Sequence, residues 1–203
     1  MQYFAVLESH LFLKQKRDDS IKGRLFAGGN KQRGTINKED AALPTAALES
    51  ILLTATIDSK EGQDIAIIDI PNAFVQTRIE DDNDIVIMRL RGKLAELMAA
   101  TAPEIYRKHV TINRNGETVL YVRALNAIYG IMKAALLFYI KFVKSLLSIG
   151  FELNPYDPYV ANKTVDNLQL TVVWHVDDLK VSHVLTKVVT RMANWLKKRT
   201  AVQ

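Results

Sequence analysis

The sequence predicts an α+β fold in which helices pack on one face of an antiparallel sheet. Short apolar runs between polar turns indicate strands, and three stretches with apolar residues at helical spacing indicate helices. These elements follow the order strand, helix, strand, strand, helix, hairpin, helix, which is typical of α+β proteins. Two helices that cross over such a sheet give a split βαβ layout.

The composition is that of a soluble globular protein. The chain has 203 residues, enough to bury a core in one domain or in two closely packed subdomains. It is 48% apolar and 24% charged, and it contains no cysteine, which excludes disulfides and thiolate metal sites. No apolar run approaches the ~20 residues that span a bilayer, and the N-terminus does not resemble a signal peptide. We therefore expect no membrane partner and no secretion, whereas the net charge of +5 is compatible with a polyanionic partner.

The first half of the chain contains one predicted hairpin, one helix and two further strands. Residues 11–14 and 21–27 are predicted strands on either side of a polar turn. Pro44 and Thr45 open a helix whose predicted buried face has helical spacing. This face consists of Leu48, Ile51, Leu52 and Ala55. Two strands follow, over residues 64–70, predicted to be buried on both faces, and over residues 84–90.

The second half is predicted to contain two long helices around a hairpin. A short helix over 92–100, a turn at 113–116 and a strand over 119–122 come first. An amphipathic helix then begins near Met132 and ends at Gly150. Residues 168–176 alternate, so that one side of this strand is predicted to be apolar and the other to be polar. The predicted polar side carries Gln169, Thr171, Val173, His175 and Asp177.

Three carboxylates lie where these apolar strands end. Asp69 closes the strand over residues 64–70, and the pair Asp177 and Asp178 forms the predicted turn before a returning strand and a last helix. Charges at the ends of apolar strands are costly unless something compensates them. We therefore predict a shared divalent-metal site and a nucleotidyl-transfer enzyme. A strand-end cap for Asp69 and a plain turn role for Asp178 are the alternatives.

Five sequence blocks occur in the order found in one family of polymerases. They are residues 21–30, 43–51, 68–74, 125–135 and 175–179. With these blocks, the chain from about Lys14 to about Lys198 resembles the reverse transcriptases of copia-type LTR retrotransposons. The resemblance implies one fingers and palm domain over residues 1–203, with a reverse-transcriptase-like palm. The fingers would take approximately 1–60 and part of 84–124, and the palm approximately 61–83 and 125–203.

The resemblance also implies a catalytic centre with two Mg²⁺ ions, for which Mn²⁺ is the alternative. Asp69 and Asp177 would bridge the metals, the backbone carbonyl of Ile70 would add a ligand, and Asp178 would be a weaker one. This agrees with the preference of Mg²⁺ for hard oxygen ligands. The reaction would be RNA-directed DNA synthesis from dNTPs on a primer 3′-hydroxyl.

The resemblance implies substrate contacts as well. Phe74 would lie under the incoming sugar and block a 2′-hydroxyl, and the backbone N–H groups of Asn72 and Ala73 would meet the triphosphate. Phe74 as a core aromatic is the alternative. The fingers residues Lys22 and Arg24 would also hold the triphosphate, with ordinary surface charges as the alternative. Tyr129 and Gly130 would pack against the nucleotide and the template.

The chain departs from the family both in its motifs and in its length. Residues 131–136 are IMKAAL where the family commonly has LKQAPR, and His175 replaces an aromatic residue. The family continues into a thumb and RNase H, which this sequence lacks, so we expect a fragment of a longer pol polyprotein or a decayed copy. The expected partners are an RNA or DNA template-primer, dNTPs and the rest of that polyprotein. By analogy, the location would be a cytoplasmic particle and the nucleus.

Two other functions stay open at this point. One is a truncated, non-catalytic relic that acts as a nucleic-acid-binding module, which the altered residues 131–136 support. The other is an unrelated α+β metal-dependent phosphotransferase that shares only the carboxylates, since a fold does not determine a function.

Overall fold

A computed structural model describes residues 6–34, 36–37, 45–79 and 85–200. The chain divides into two compact units, Met1–Ala41 with Thr77–Leu137 and Ala42–Gln76 with Phe138–Gln203. Each unit has its own five-stranded sheet, and the α+β class predicted from the sequence is confirmed. The α-helices and strands, in chain order, are β1 (Val6–Gln15), β2 (Ile21–Ala27), α1 (Leu48–Glu61), β3 (Asp64–Asp69), β4 (Val86–Arg91), α2 (Lys93–Thr101), α3 (Pro103–Tyr106), β5 (Thr111–Ile112), β6 (Thr118–Ala124), α4 (Ala134–Leu147), β7 (Glu152–Leu153), β8 (Val160–Val165), β9 (Leu168–His175), β10 (Asp178–His183) and α5 (Thr186–Thr200).

The first unit is built on a mixed sheet in the order β2-β1-β4-β6-β5. The predicted hairpin is confirmed, because β1 and β2 pair antiparallel around a turn in which the Asp18 carboxylate accepts hydrogen bonds from the backbone and hydroxyl of Ser20. The predicted all-antiparallel sheet is wrong here, since β1 pairs in parallel with β4. This parallel pairing buries Leu7 fully, with Leu90 and Leu120.

The second unit has a fully antiparallel sheet in the order β3-β10-β9-β8-β7. Helices α4 and α5 cover the face that carries Trp174. The Trp174 ring meets Phe142 of α4 edge-on at 5.2 Å between centroids, and Val188 and Met192 of α5 belong to the same buried cluster. Burial of these large side chains provides most of the stabilisation of such a core.

Helix α1 packs on the opposite face of this sheet. Lys180 points away from the face of its neighbours Leu179 and Val181, because side chains alternate along a strand. Its ammonium group donates to the Thr54 hydroxyl, 2.9 Å away, and to the Asp58 carboxylate, both in α1. The predicted placement of all helices on one face is therefore wrong for the second unit.

The buried side of α1 also differs from the prediction. Leu48 and Leu52 are exposed, whereas Asp58 is buried. The physical reason is the ion pair with Lys180, which turns a polar side of the helix inward. The predicted helix opener Pro44 lies outside the described residues, as does Asp84, the predicted start of the strand that corresponds to β4.

Strand β9 is buried on both sides of the sheet over most of its length. Thr171 and Val173, predicted to be on an open polar side, are buried because α1 covers that face. The strand also ends at His175 rather than at residue 176. The predicted last helix is confirmed as α5. In the described part of the chain, no helix is long and apolar enough to cross a membrane.

Candidate functional site

The carboxylates predicted to be catalytic lie at one end of the sheet of the second unit. Asp69 is the last residue of β3, and Asp178 is the first residue of β10. The two residues are directly opposite each other in the antiparallel register, and Asp178 is also opposite His175 of β9. Directly opposed residues point to the same side of a sheet, so Asp69, Asp178 and His175 form a row across three strands. We call these three residues the carboxylate row.

The carboxylate row is exposed and carries two like charges on neighbouring strands. Like charges in directly opposed positions destabilise a sheet. No cation among the described residues forms an ion pair with Asp69 or Asp178 to offset this repulsion. The row therefore contains negative charge that the described residues do not neutralise.

The donor set of the row is compatible with Mg²⁺. This ion is held in nucleotide-dependent enzymes by one or two carboxylates, with water and substrate phosphates completing its ligands. Asp69 and Asp178 provide two such carboxylates on the same side of the sheet. Within the residues that the structure describes, no group of three or more His, Cys, Asp and Glu side chains could hold a metal ion by itself. Phosphate oxygens would have to supply the remaining ligands.

Asp177 lies in the loop between β9 and β10. The loop consists of two residues, Val176 and Asp177, so the prediction that Asp177 and Asp178 form the turn is wrong by one position. The backbone carbonyl of Asp177 accepts a hydrogen bond from the N–H of Ile70 at 2.8 Å, which ties the loop to the end of β3. It is Asp178, and not Asp177, that continues the polar side of the strand beside Asp69.

The loop also contains an unfavourable backbone conformation. Val176 has φ of +60°, a region that L-residues rarely adopt and that is worst for β-branched side chains. Two-residue hairpin loops usually place glycine or asparagine in such a position. Backbone strain of this kind often occurs at functional sites, so it supports this loop as part of the candidate site.

The segment after β3 forms a compact turn over residues 71–76. Asn72 has φ of +53°, and its carbonyl accepts a hydrogen bond from the N–H of Gln76 at 3.2 Å. Ala73 is buried. Phe74 packs edge-on against Phe138, with 6.4 Å between centroids, so its ring is partly inside the core of the second unit. This packing agrees with the alternative of a core aromatic, and the contact with a sugar stays a prediction.

The first unit has a basic and aromatic groove on its β1–β2 hairpin. Lys22 and Arg24 lie two residues apart on β2, directly opposite Lys14 and Phe12 of β1. All four side chains therefore point to the same side of the sheet. The groove has a volume of about 1070 Å³ and is lined also by Phe26. We call this surface the hairpin groove.

Aromatic rings in and beside the hairpin groove hold one another in place. Phe12 and Phe26 meet edge-on at 5.3 Å, and Phe26 lies 5.8 Å from the ring of Tyr129. The guanidinium of Arg24 lies 5.8 Å from the centre of the Tyr129 ring, within the range of a cation–π contact. Phe12 and Phe26 were not predicted as site residues from the sequence. Their spacing of two residues from Lys14 and Arg24 is the signal that places them on the same side of the sheet as the basic residues.

Gly130 is required by a close backbone approach. A side chain at this position would place its Cβ 2.0 Å from the carbonyl oxygen of Ala27, and its φ is +89°. The preceding carbonyl, of Tyr129, accepts a hydrogen bond from the N–H of Ala27 at 2.8 Å. In this unit, Tyr129 and Gly130 thus fix the end of β2 and the position of Arg24.

Within each unit, the structure brings several of the predicted site residues together. Asp69, Ile70, Asp177 and Asp178 meet in the second unit, and Lys22, Arg24, Tyr129 and Gly130 meet in the first. No protein-family model matches the chain, and no curated protein is significantly similar to it.

Proposed function

We propose that the chain is the fingers and palm portion of an RNA-directed DNA polymerase, a reverse transcriptase that transfers nucleotides from dNTPs to a primer 3′-hydroxyl. The observation that carries the proposal is the carboxylate row, in which Asp69 and Asp178 face each other without a neutralising cation among the described residues. The five ordered sequence blocks support it independently.

The residues of the second unit have defined roles in this proposal. Asp69, Asp177 and Asp178 would hold Mg²⁺ together with the carbonyl of Ile70, and phosphate oxygens of the substrate would complete its ligands. When bound, the ion supplies a lowered pKa for the primer hydroxyl and charge neutralisation for the departing pyrophosphate. The strained Val176 loop, bonded to Ile70, keeps Asp177 at the end of β3.

The substrate contacts follow the resemblance. Asn72 and Ala73 provide backbone N–H groups for the triphosphate, and Phe74 restricts the sugar to a deoxyribose. In the first unit, Lys22 and Arg24 neutralise phosphate charge, which dominates the affinity of proteins for nucleic acids.

A second candidate function is nucleic-acid binding without catalysis, and the hairpin groove favours it. Phe12 is 62% exposed beside Lys14 and Arg24. Exposed aromatic rings among basic side chains are what proteins use to stack single-stranded bases and to track the phosphate backbone. This candidate requires the groove and not the carboxylate row.

Primer extension on an RNA template, with dNTPs and either Mg²⁺ or Mn²⁺, tests the polymerase. The wild-type chain is compared with Asp177→Asn, and Asp166→Asn serves as a matched control because Asp166 lies in the exposed β8–β9 turn. We expect extension by the wild type and by the control but not by Asp177→Asn. Equal extension by all three chains contradicts the assignment of Asp177, and binding of the template without extension by any of them favours the second candidate.

Salt-dependent binding of single-stranded RNA tests the hairpin groove. Phe12→Ala should weaken binding by about 1–3 kcal/mol through lost stacking. Arg24→Gln should lower the slope of log K against log salt by about 1, as expected for one lost phosphate contact. The control is Arg114→Gln in the exposed turn before β6. Equal effects of Arg24→Gln and Arg114→Gln would mean that the groove is not the binding surface.

A further inference from the structure

A cavity of about 360 Å³ lies in the second unit, away from the carboxylate row. Its walls are strands β8 and β9, helix α5 and the segment that follows α4. The apolar part of the lining includes Phe151, Leu170, Met192 and Trp195. At about 30 Å³ for each water, this volume equals about a dozen water molecules, which is space for a small organic molecule.

Two cationic side chains join this apolar lining. Lys163 lines the cavity from β8, and its ammonium group donates to the carbonyl of Ile149, which holds the side chain in position. Arg191 lines the cavity from α5 and is exposed. Its guanidinium forms no ion pair with any residue in the described part of the chain.

The acidic residue next to the cavity does not neutralise the two cationic side chains that line it. The adjacent acidic residue, Asp166, already pairs with Lys187, whose ammonium group is 3.7 Å away on the preceding turn of α5. Arg191 therefore keeps its full capacity to bind a carboxylate through two parallel N–H donors, which is the strongest form of such a contact.

We propose that this cavity binds a small amphipathic anion, an aromatic or branched apolar group that carries one carboxylate. The apolar group occupies the space between Leu170, Met192 and Trp195. The carboxylate lies between the guanidinium of Arg191 and the ammonium of Lys163. This inference concerns a site separate from the proposed catalytic residues and stands whether or not the chain is a polymerase.

The test compares 2-naphthoate with its neutral analogue 2-naphthamide, in titrations of the whole chain followed by NMR. The chain has two tryptophans. Trp195 lines the cavity, whereas Trp174 is buried in the core, so their indole N–H signals report where the probe binds. We expect 2-naphthoate to shift the Trp195 signal saturably, with a dissociation constant on the order of 0.1 mM for a ligand of this size. The amide should bind at least about tenfold more weakly, because it lacks the charge-assisted contact.

Two variants separate the site from general electrostatics. Arg191→Gln should weaken 2-naphthoate about tenfold and leave the amide unchanged, and its exposed position makes a folding defect unexpected. Lys198→Gln, which removes an exposed charge two turns further along the same helix, should change the affinity less than about twofold. Equal affinities for acid and amide, unchanged binding by Arg191→Gln, or an unmoved Trp195 signal at about 10 mM probe would each overturn the proposal.

Discussion

The buried ion pair between Lys180 and Asp58 connects α1 to the strand that begins with Asp178. The side chain of Lys180 is 16% exposed and that of Asp58 is 3% exposed. Lys180→Met leaves the Asp58 carboxylate buried without its cation. Thr54, the other partner of Lys180, stays satisfied because its hydroxyl also donates to the carbonyl of Ser50 at 2.8 Å.

The expected loss follows from the cost of an unpaired buried charge. Removing one partner of a buried ion pair typically destabilises a protein by about 3–5 kcal/mol. Replacing both partners with apolar residues of similar size is often neutral or stabilising. Lys180→Met and Asp58→Leu alone should therefore each cost about 3–5 kcal/mol, and the double variant should recover most of that loss.

Urea unfolding followed by tryptophan fluorescence measures this effect, because Trp174 and Trp195 both belong to the second unit. With a slope near 2 kcal/mol per molar urea, each single variant should lower the midpoint by about 1.5–2.5 M. The exposed Lys187–Asp166 pair is the control, and its disruption should cost less than about 1 kcal/mol. Single losses below about 1 kcal/mol, or a double loss equal to the sum of the single losses, would refute the reasoning.

Three further predictions concern the backbone and a buried tyrosine. Gly130→Ala should destabilise the first unit by more than about 2 kcal/mol in thermal unfolding, because the added Cβ would clash with a backbone carbonyl. Gly34→Ala is the control and should be near neutral in the same assay, because open space surrounds Gly34. Val176→Gly should raise the stability by up to about 1 kcal/mol, because relief of the positive φ exceeds the entropy cost of glycine, and a lowered melting temperature would contradict this. Burial, with the nearby phenol of Tyr139 and carboxylate of Asp157, raises the pKa of Tyr159 from 10.0 to about 12. The unfolding free energy should therefore be intact below pH 10 and fall as the pH rises from 10 through 12, and Tyr159→Phe should flatten this fall in urea titrations at stepped pH.

Local features of the fold could be predicted from the sequence. The β1–β2 hairpin has a turn whose Asp18 and Ser20 bond to each other, so its signal lies within four residues. The last helix, α5, has a buried stripe at regular helical spacing that includes Val188 and Met192. In both cases neighbouring residues along the chain determine the structure.

Features that depend on distant partners could not be predicted. The apolar pattern of α1 indicates Leu48 and Leu52 as the inner face, but Lys180, 122 residues beyond Asp58, selects a different side. The sequence contains no signal for this pairing, because each residue alone is an ordinary surface charge.

In the candidate site, too, some features could be predicted from the sequence and others could not. The apolar run predicted a strand over residues 64–70, and β3 covers Asp64–Asp69. The predicted burial of this strand on both faces is wrong, because β3 lies at the edge of the sheet and Ile67 is 72% exposed. The loop was wrong by one residue, because a β-branched residue with positive φ is not a turn signal. That shift decides which carboxylate faces Asp69, since the strand register places Asp178 there and leaves Asp177 in the loop.

Single-nucleotide incorporation on a primed RNA template, with and without Mg²⁺, tests most directly whether the carboxylate row is a catalytic centre. The wild type is compared with Asp69→Asn, which keeps the size of the side chain and removes its charge. We predict Mg²⁺-dependent incorporation that is slower by at least about 100-fold in the variant, because several kcal/mol of charge stabilisation are lost. Equal rates for the two chains would contradict the account.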